Sequence, residues 1–168
     1  MTFISSDTNV WIDFEVLGKL ELPFKLEYTY LMTEITIEEE LRSPGLKDKL
    51  LCLGLHKTEL SAEEFALVLE YEHNYLQLSL HDRIALSIAK LRGIPLLTGD
   101  GALRKAATKE GVQLMGTLKI LEELRRTEII QAEEYIKLLE CLKAENGKKI
   151  RLPKEEIEKR LNQLKQQK

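Results

Sequence analysis

The apolar positions of this chain switch repeatedly between short β-like runs and helical spacing. Residues 2–6 alternate weakly and read as a short strand, with Asp7 at its end. Residues 8–17 then place Val10, Phe14 and Leu17 on one face of a helix. A mixed connection over 18–27 carries Gly18 and Pro23, and Tyr28–Met32 reads as a second strand. Thr36 followed by Glu39 has capping-box spacing and predicts a helix through Leu41, which Ser43-Pro44-Gly45 interrupts. Residues 46–51 suit a short helix, and Leu53–Leu60 is a weakly marked strand.

Ser61 with Glu64 repeats the capping-box spacing and opens a helix to about His73. Ser79 opens the next, in which Ile84, Ile88 and Leu91 keep helical spacing and Gly93 supplies the stop. Ile94–Thr98 is an apolar run between Gly93 and Gly99, as expected of a buried parallel strand. Residues 102–110 read as a helix stopped by Gly111, Val112–Met115 as a strand, and Thr117 as the cap of a helix through Arg126. This alternation predicts an α/β fold, a parallel Rossmann-like sheet between helices in three layers. The pattern then becomes helical only. Tyr135, Leu138, Leu139 and Leu142 share a face of residues 131–145; after Asn146-Gly147, Pro153 starts a last helix with the stripe Ile157, Leu161 and Leu164. The expected division is residues 1–128 as the α/β body and 129–168 as a helical extension packed on it or on a partner.

The net charge of −3 conceals an asymmetry: residues 143–168 carry +5, which leaves the first 142 at −8. An acidic body argues against broad nonspecific DNA binding and leaves room for a metal-recruiting carboxylate cluster edged by basic residues. No apolar run approaches the roughly 20 residues needed to span a bilayer. The opening MTFISSDTNVWIDF lacks the early basic residues and long apolar stretch of a signal peptide, so a cytoplasmic location is expected. The two cysteines, Cys52 and Cys141, stand in no metal-ligand spacing and read as buried small hydrophobes.

Ligands of open parallel sheets bind beyond the C-terminal strand ends. Asp7 and Asp100 fall there, Asp82 sits in the first turn of the helix preceding the fourth strand, and Glu40 lies on the helix after the second. Oxygen ligands of this kind suit Mg²⁺ or Mn²⁺, which support phosphodiester hydrolysis by activating water and neutralising phosphate charge. Taken singly, each acid also reads as a helix cap or a solvated surface group.

Four stretches together resemble the PIN-domain family: Ser6-Asp7-Thr8-Asn9-Val10-Trp11-Ile12-Asp13; Ile37-Glu38-Glu39-Glu40-Leu41; Leu80-His81-Asp82 with Ala85-Leu86-Ser87-Ile88-Ala89; and Leu96-Leu97-Thr98-Gly99-Asp100. Their order and intervals agree over residues 2–126. The run Asp100 to Ala107, with Gly111-Val112 and Met115-Gly116-Thr117-Leu118, is similar to a prokaryotic subgroup related to the VapC toxins of toxin–antitoxin pairs. The resemblance implies a metal-dependent endoribonuclease using Mg²⁺ or Mn²⁺ held by Asp7, Glu40, Asp82 and Asp100. Asn9 and Thr98 would orient carboxylates or water. Glu39 satisfies a one-residue shift of the second motif; Glu40 is preferred because leucine follows it directly. The resemblance also implies RNA as substrate, a homodimer, and an antitoxin protein as a partner if the chain is a toxin. The alternative is a PIN fold without turnover, serving as an RNA-binding or scaffold module.

Arg83, Arg104 and Lys105 are candidate RNA-backbone contacts, as are Lys148, Lys149 and Arg151 in the basic tail. His81 reads as an exposed helix-start residue near the cleft, Trp11 as core or dimer interface, and Ile120, Leu121 and Leu124 as core. Other α/β chemistries lack their signatures. The first strand-to-helix turn, Ser5-Ser6-Asp7-Thr8, has no glycine, which excludes a dinucleotide fingerprint, and a P-loop is absent. A haloacid-dehalogenase phosphatase needs a second carboxylate where Asn9 stands.

Overall fold

The computed structural model describes residues 2–166. Its strands are β1 (Thr2–Ser6), β2 (Tyr28–Thr33), β3 (His56–Thr58), β4 (Leu96–Leu97) and β5 (Leu114–Met115). They form one parallel sheet in the order β3-β2-β1-β4-β5. The helices are α1 (Thr8–Val16), α2 (Glu34–Glu40), α3 (Leu46–Leu53), α4 (Ala62–Asn74), α5 (Leu80–Arg92), α6 (Gly101–Lys109), α7 (Thr117–Arg126), α8 (Ala132–Glu145) and α9 (Lys154–Gln166).

The result is the three-layer α/β sandwich that the alternating pattern predicts. On one face, α1, α7, α8 and α9 share a core with Ile4, Tyr30, Met32, Leu97 and Met115 of the sheet. On the other, Leu96 packs with Tyr71 of α4, Leu86 of α5 and Leu103 of α6. Neighbouring Leu96 and Leu97 therefore serve opposite layers, as the pleat requires. Ile157 and Leu161 of α9 belong to the same core as Trp11, so the last helix packs on its own chain. Trp11 is fully buried, stacked on Phe24 at 5.2 Å and edge-on to Tyr30 at 5.0 Å. It belongs to the core.

Local signals place most helix ends. Ser61 and Ser79 both close complete capping boxes, with Glu64 and Asp82. Gly93 ends α5 at φ 63°, a left-handed conformation that suits glycine.

Several expectations need correction. The cap of α2 is Thr33, whose hydroxyl accepts from the Thr36 N–H, because Thr36 is itself buried inside the first turn. Gly116 precedes α7, and Thr117 turns its hydroxyl to Asp13. The strand expected over Leu53–Leu60 shrinks to β3, since α3 runs to Leu53. Likewise β4 and β5 keep only two residues each of their apolar runs. Cys52 is exposed and Cys141 half-buried, not core residues. The 18–27 connection contains a 3₁₀ turn at Leu22–Lys25.

Candidate active site

The strand order reverses between β1 and β4, and chain leaving these two strands diverges to opposite sides. Asp7 follows β1 directly. Asp100 stands three residues beyond β4, after Thr98 and Gly99. The Asp7 N–H donates to Leu97 O at 2.9 Å, which fixes the two strand ends against each other.

A single buried hydroxyl joins the two acids. Thr98 Oγ1 donates to Asp7 Oδ2 at 2.8 Å and accepts from the Asp100 N–H at 3.1 Å. Asp7 Oδ1 accepts from the Thr8 N–H at 2.9 Å. Asn9 reaches across from α1 and accepts from the Gly99 N–H at 3.2 Å, holding the β4–α6 turn.

Burial pushes the Asp7 carboxyl up to about 7; the charge of Asp82 adds to this, hydrogen bonds from Thr98 and Thr8 oppose it, and Glu40 adds a smaller push. Asp82 is also raised, chiefly by burial, against its bonds with Ser79 and with a further push from Asp100. The four expected acids are thus in one electrostatic neighbourhood: Asp7 feels Asp82 and Glu40, and Asp82 feels Asp100. On Asp82 the charge of His81 opposes this push.

The second-motif glutamates divide. Glu40 faces the Asp7 field, whereas Glu39 Oε2 accepts from His81 Nε2 at 2.8 Å. His81 Nδ1 is hydrogen-bonded to the Thr36 hydroxyl at 2.9 Å, and Thr36 accepts from Thr33 at 3.0 Å. The carboxylate at Nε2 makes that ring nitrogen a donor. His81, expected to be exposed, is largely covered because it bridges α2 and α5. A cavity of about 10 Å³ remains beside Asp7, bordered by Ser6, Thr36 and His81; it has room for about one water.

The expected basic residues differ in their engagement. Arg83 turns toward α4, donating to Val68 O, with Glu72 at 3.8 Å. Arg104 donates to Thr98 O at 2.8 Å and stiffens the strand end that carries the hydroxyl. Lys105 is exposed.

Asp13 had no assigned role in the sequence. It is 5% exposed, and burial raises it to about 6 against a hydrogen bond donated by Thr117. It lines a 470 Å³ cleft with Asn9, Gly99 and Asp100. A signal was present: Asp13 lies four residues after Asn9, on the same helix face. The Thr36–His81 contact had no such signal, being 45 residues apart.

A PIN-domain family model matches residues 3–166. The chain belongs to the PIN-domain family. PIN domains are generally nucleases that use divalent metals. No curated protein and no solved structure gives a significant match. Among the described residues no helix of this PIN domain is long and apolar enough to cross a membrane.

Among the described residues, no three carboxylate, imidazole or thiol groups are gathered tightly enough to hold one ion. The donor chemistry of the PIN site nevertheless suits a hard divalent cation, being all oxygen, acidic and mutually repelling. Asp82 and Asp100 each use Oδ2 for a helix cap.

Thr98→Val is expected to lower stability by about 1–3 kcal/mol, because it strands the buried Asp7 Oδ2 and removes the partner of the half-buried Asp100 N–H. Urea unfolding near neutral pH measures this, and a loss confined to a few tenths would deny the hydroxyl its bridging role.

Proposed function

We propose that this PIN domain is a divalent-metal-dependent endoribonuclease, with Asp7, Glu40, Asp82 and Asp100 holding Mg²⁺ or Mn²⁺. The observation that carries the reading is the raised Asp7, pressed by burial, Asp82 and Glu40 at the switch point of the sheet. Bound there, the ion supplies an activated water and neutralises charge on the phosphate. Asp7 and Asp100 are the central ligands, kept in register by Thr98. Asn9 holds the turn that presents Asp100. Glu39 is committed to His81, which leaves Glu40 as the second-motif ligand. No protein nucleophile is required.

In this reading residues 1–128 are the nuclease body and 129–168 the helical extension. A cytoplasmic location, a homodimer and, for a toxin, a small antitoxin partner complete it.

The test is cleavage of a mixed single-stranded RNA pool with Mg²⁺ or Mn²⁺ against EDTA, wild type beside Asp100→Asn. The expected result is metal-dependent cuts, reduced at least a hundredfold in the variant. Metal-independent RNA binding without cuts would favour a non-cleaving RNA-binding module instead.

A further inference from the structure

The segment joining α8 to α9 is short, ordered and basic. Asn146 pins it at both ends of one side chain: Nδ2 donates to Leu152 O and Oδ1 accepts from the Leu152 N–H, each at 2.8 Å. Gly147, at φ 90°, turns the chain so that its N–H donates to Ile150 O at 2.9 Å. Ile150 is 2% exposed and joins the main core. Lys149 and Arg151 flank this buried anchor and are exposed.

Both residues line the 470 Å³ cleft, together with Ile150. The other lining residues are Asn9, Ile12 and Asp13 of α1, with Gly99 and Asp100 of the turn after β4 and Gly101 at the start of α6. One wall therefore carries two cations and the other carries Asp13 and the candidate ligand Asp100. Among the described residues Lys149 and Arg151 form no ion pair, while their neighbours Lys143, Lys148 and Arg160 are paired with Glu158, Glu145 and Glu122. The staple itself anchors Ile150 in the core, but the two exposed cations it presents add little to stability.

We propose that residues 146–153 are a phosphate clamp, in which Lys149 and Arg151 hold the backbone of a single-stranded RNA against Asp100. The proposal rests on the nuclease reading and adds to it where the strand runs and which residues bind it. The α8–α9 segment then forms a wall of the site. An RNA strand needs this wall because the rest of the chain is acidic; two cations offset the repulsion at the point of entry.

The test compares wild type with Lys149→Ala/Arg151→Ala, both positions being exposed and outside the metal site. Binding of a short single-stranded RNA oligonucleotide is measured against salt in EDTA, and cleavage with Mn²⁺. The slope of log affinity against log salt is expected to fall in magnitude by about 1.4, or about 0.7 for each lost phosphate contact. KM is expected to rise about tenfold or more with kcat nearly unchanged, and Lys149→Arg/Arg151→Lys to restore the slope. An unchanged slope in an alanine variant whose wild type cleaves RNA overturns the clamp and leaves the nuclease standing. A wild type that neither binds nor cuts RNA overturns the nuclease reading and the clamp with it.

Discussion

Asp7→Asn is expected to abolish metal-dependent RNA cleavage and, near pH 8, to make the protein harder to unfold. The activity loss should be about a thousandfold, the rate equivalent of roughly 4 kcal/mol, because the proposed reading makes Asp7 a central ligand and asparagine replaces it by a neutral amide. The stability gain follows from the same carboxyl. In the folded chain Asp7 titrates at about 7, against an ordinary value of 3.8. The folded state therefore holds this proton more tightly than the unfolded state. Stability falls as pH rises from the unfolded to the folded value, and the whole penalty is present above about 7. Asparagine carries no such penalty. It does offer one acceptor oxygen in place of two, so either Thr8 N–H or Thr98 hydroxyl loses its partner. The net gain near pH 8 should be about 1–3 kcal/mol. The more decisive quantity is the change with pH: the variant's advantage should shrink by roughly 2–3 kcal/mol between about pH 8 and pH 5. Urea titrations at the two values measure it. A variant destabilised equally at both would remove the charge-repulsion account of the site. Added Mn²⁺ should raise the wild-type midpoint and leave that of Asp7→Asn nearly unmoved.

Trp11→Ala should cost about 3–5 kcal/mol, the range for emptying a large aromatic site in a core. The ring is fully buried between Phe24 and Tyr30, and its loss leaves α1 unsupported where that helix carries Asn9 and Asp13. Trp11→Phe should cost far less than its lost volume suggests. The Trp11 Nε1–H is buried with no partner among the described residues, and phenylalanine removes that donor, worth about 1–3 kcal/mol. Thermal or urea unfolding of both variants tests this. Equal losses for alanine and phenylalanine would show that ring size alone governs the position.

The fold was legible wherever its cause is local. Ser61, Ser79 and Gly93 mark helix ends because each bonds or bends within a few residues of itself. Asp7 and Asp100 could be placed because a strand followed by a helix leaves its polar residue at the strand end. Strand length was less legible: Ile94 and Val112 are apolar because they pack against the α4–α6 layer, but they lie outside the ladder. Thr36 shows the limit of local reading. Its spacing from Glu39 imitates a capping box, yet its hydroxyl serves His81 on another helix. The Asp13–Thr117 bond spans 104 residues and could not be read from either end. In the candidate site, Thr98 was expected to orient a carboxylate, whereas its simultaneous bonds to Asp7 and Asp100 required the sheet.

The shared core of α1 and α9 also bears on how the protein is made. A ribosome delivers Asp7, Glu40, Asp82 and Asp100 well before it delivers Ile157 and Leu161, which cover the same apolar cluster as Trp11. Lys149 and Arg151 emerge in that same late stretch. During translation the growing chain thus carries its acids on a body whose main core is still open, close to the cell's own messenger and ribosomal RNA. Completion of the cleft is deferred until Lys149, Ile150 and Arg151 have been synthesised.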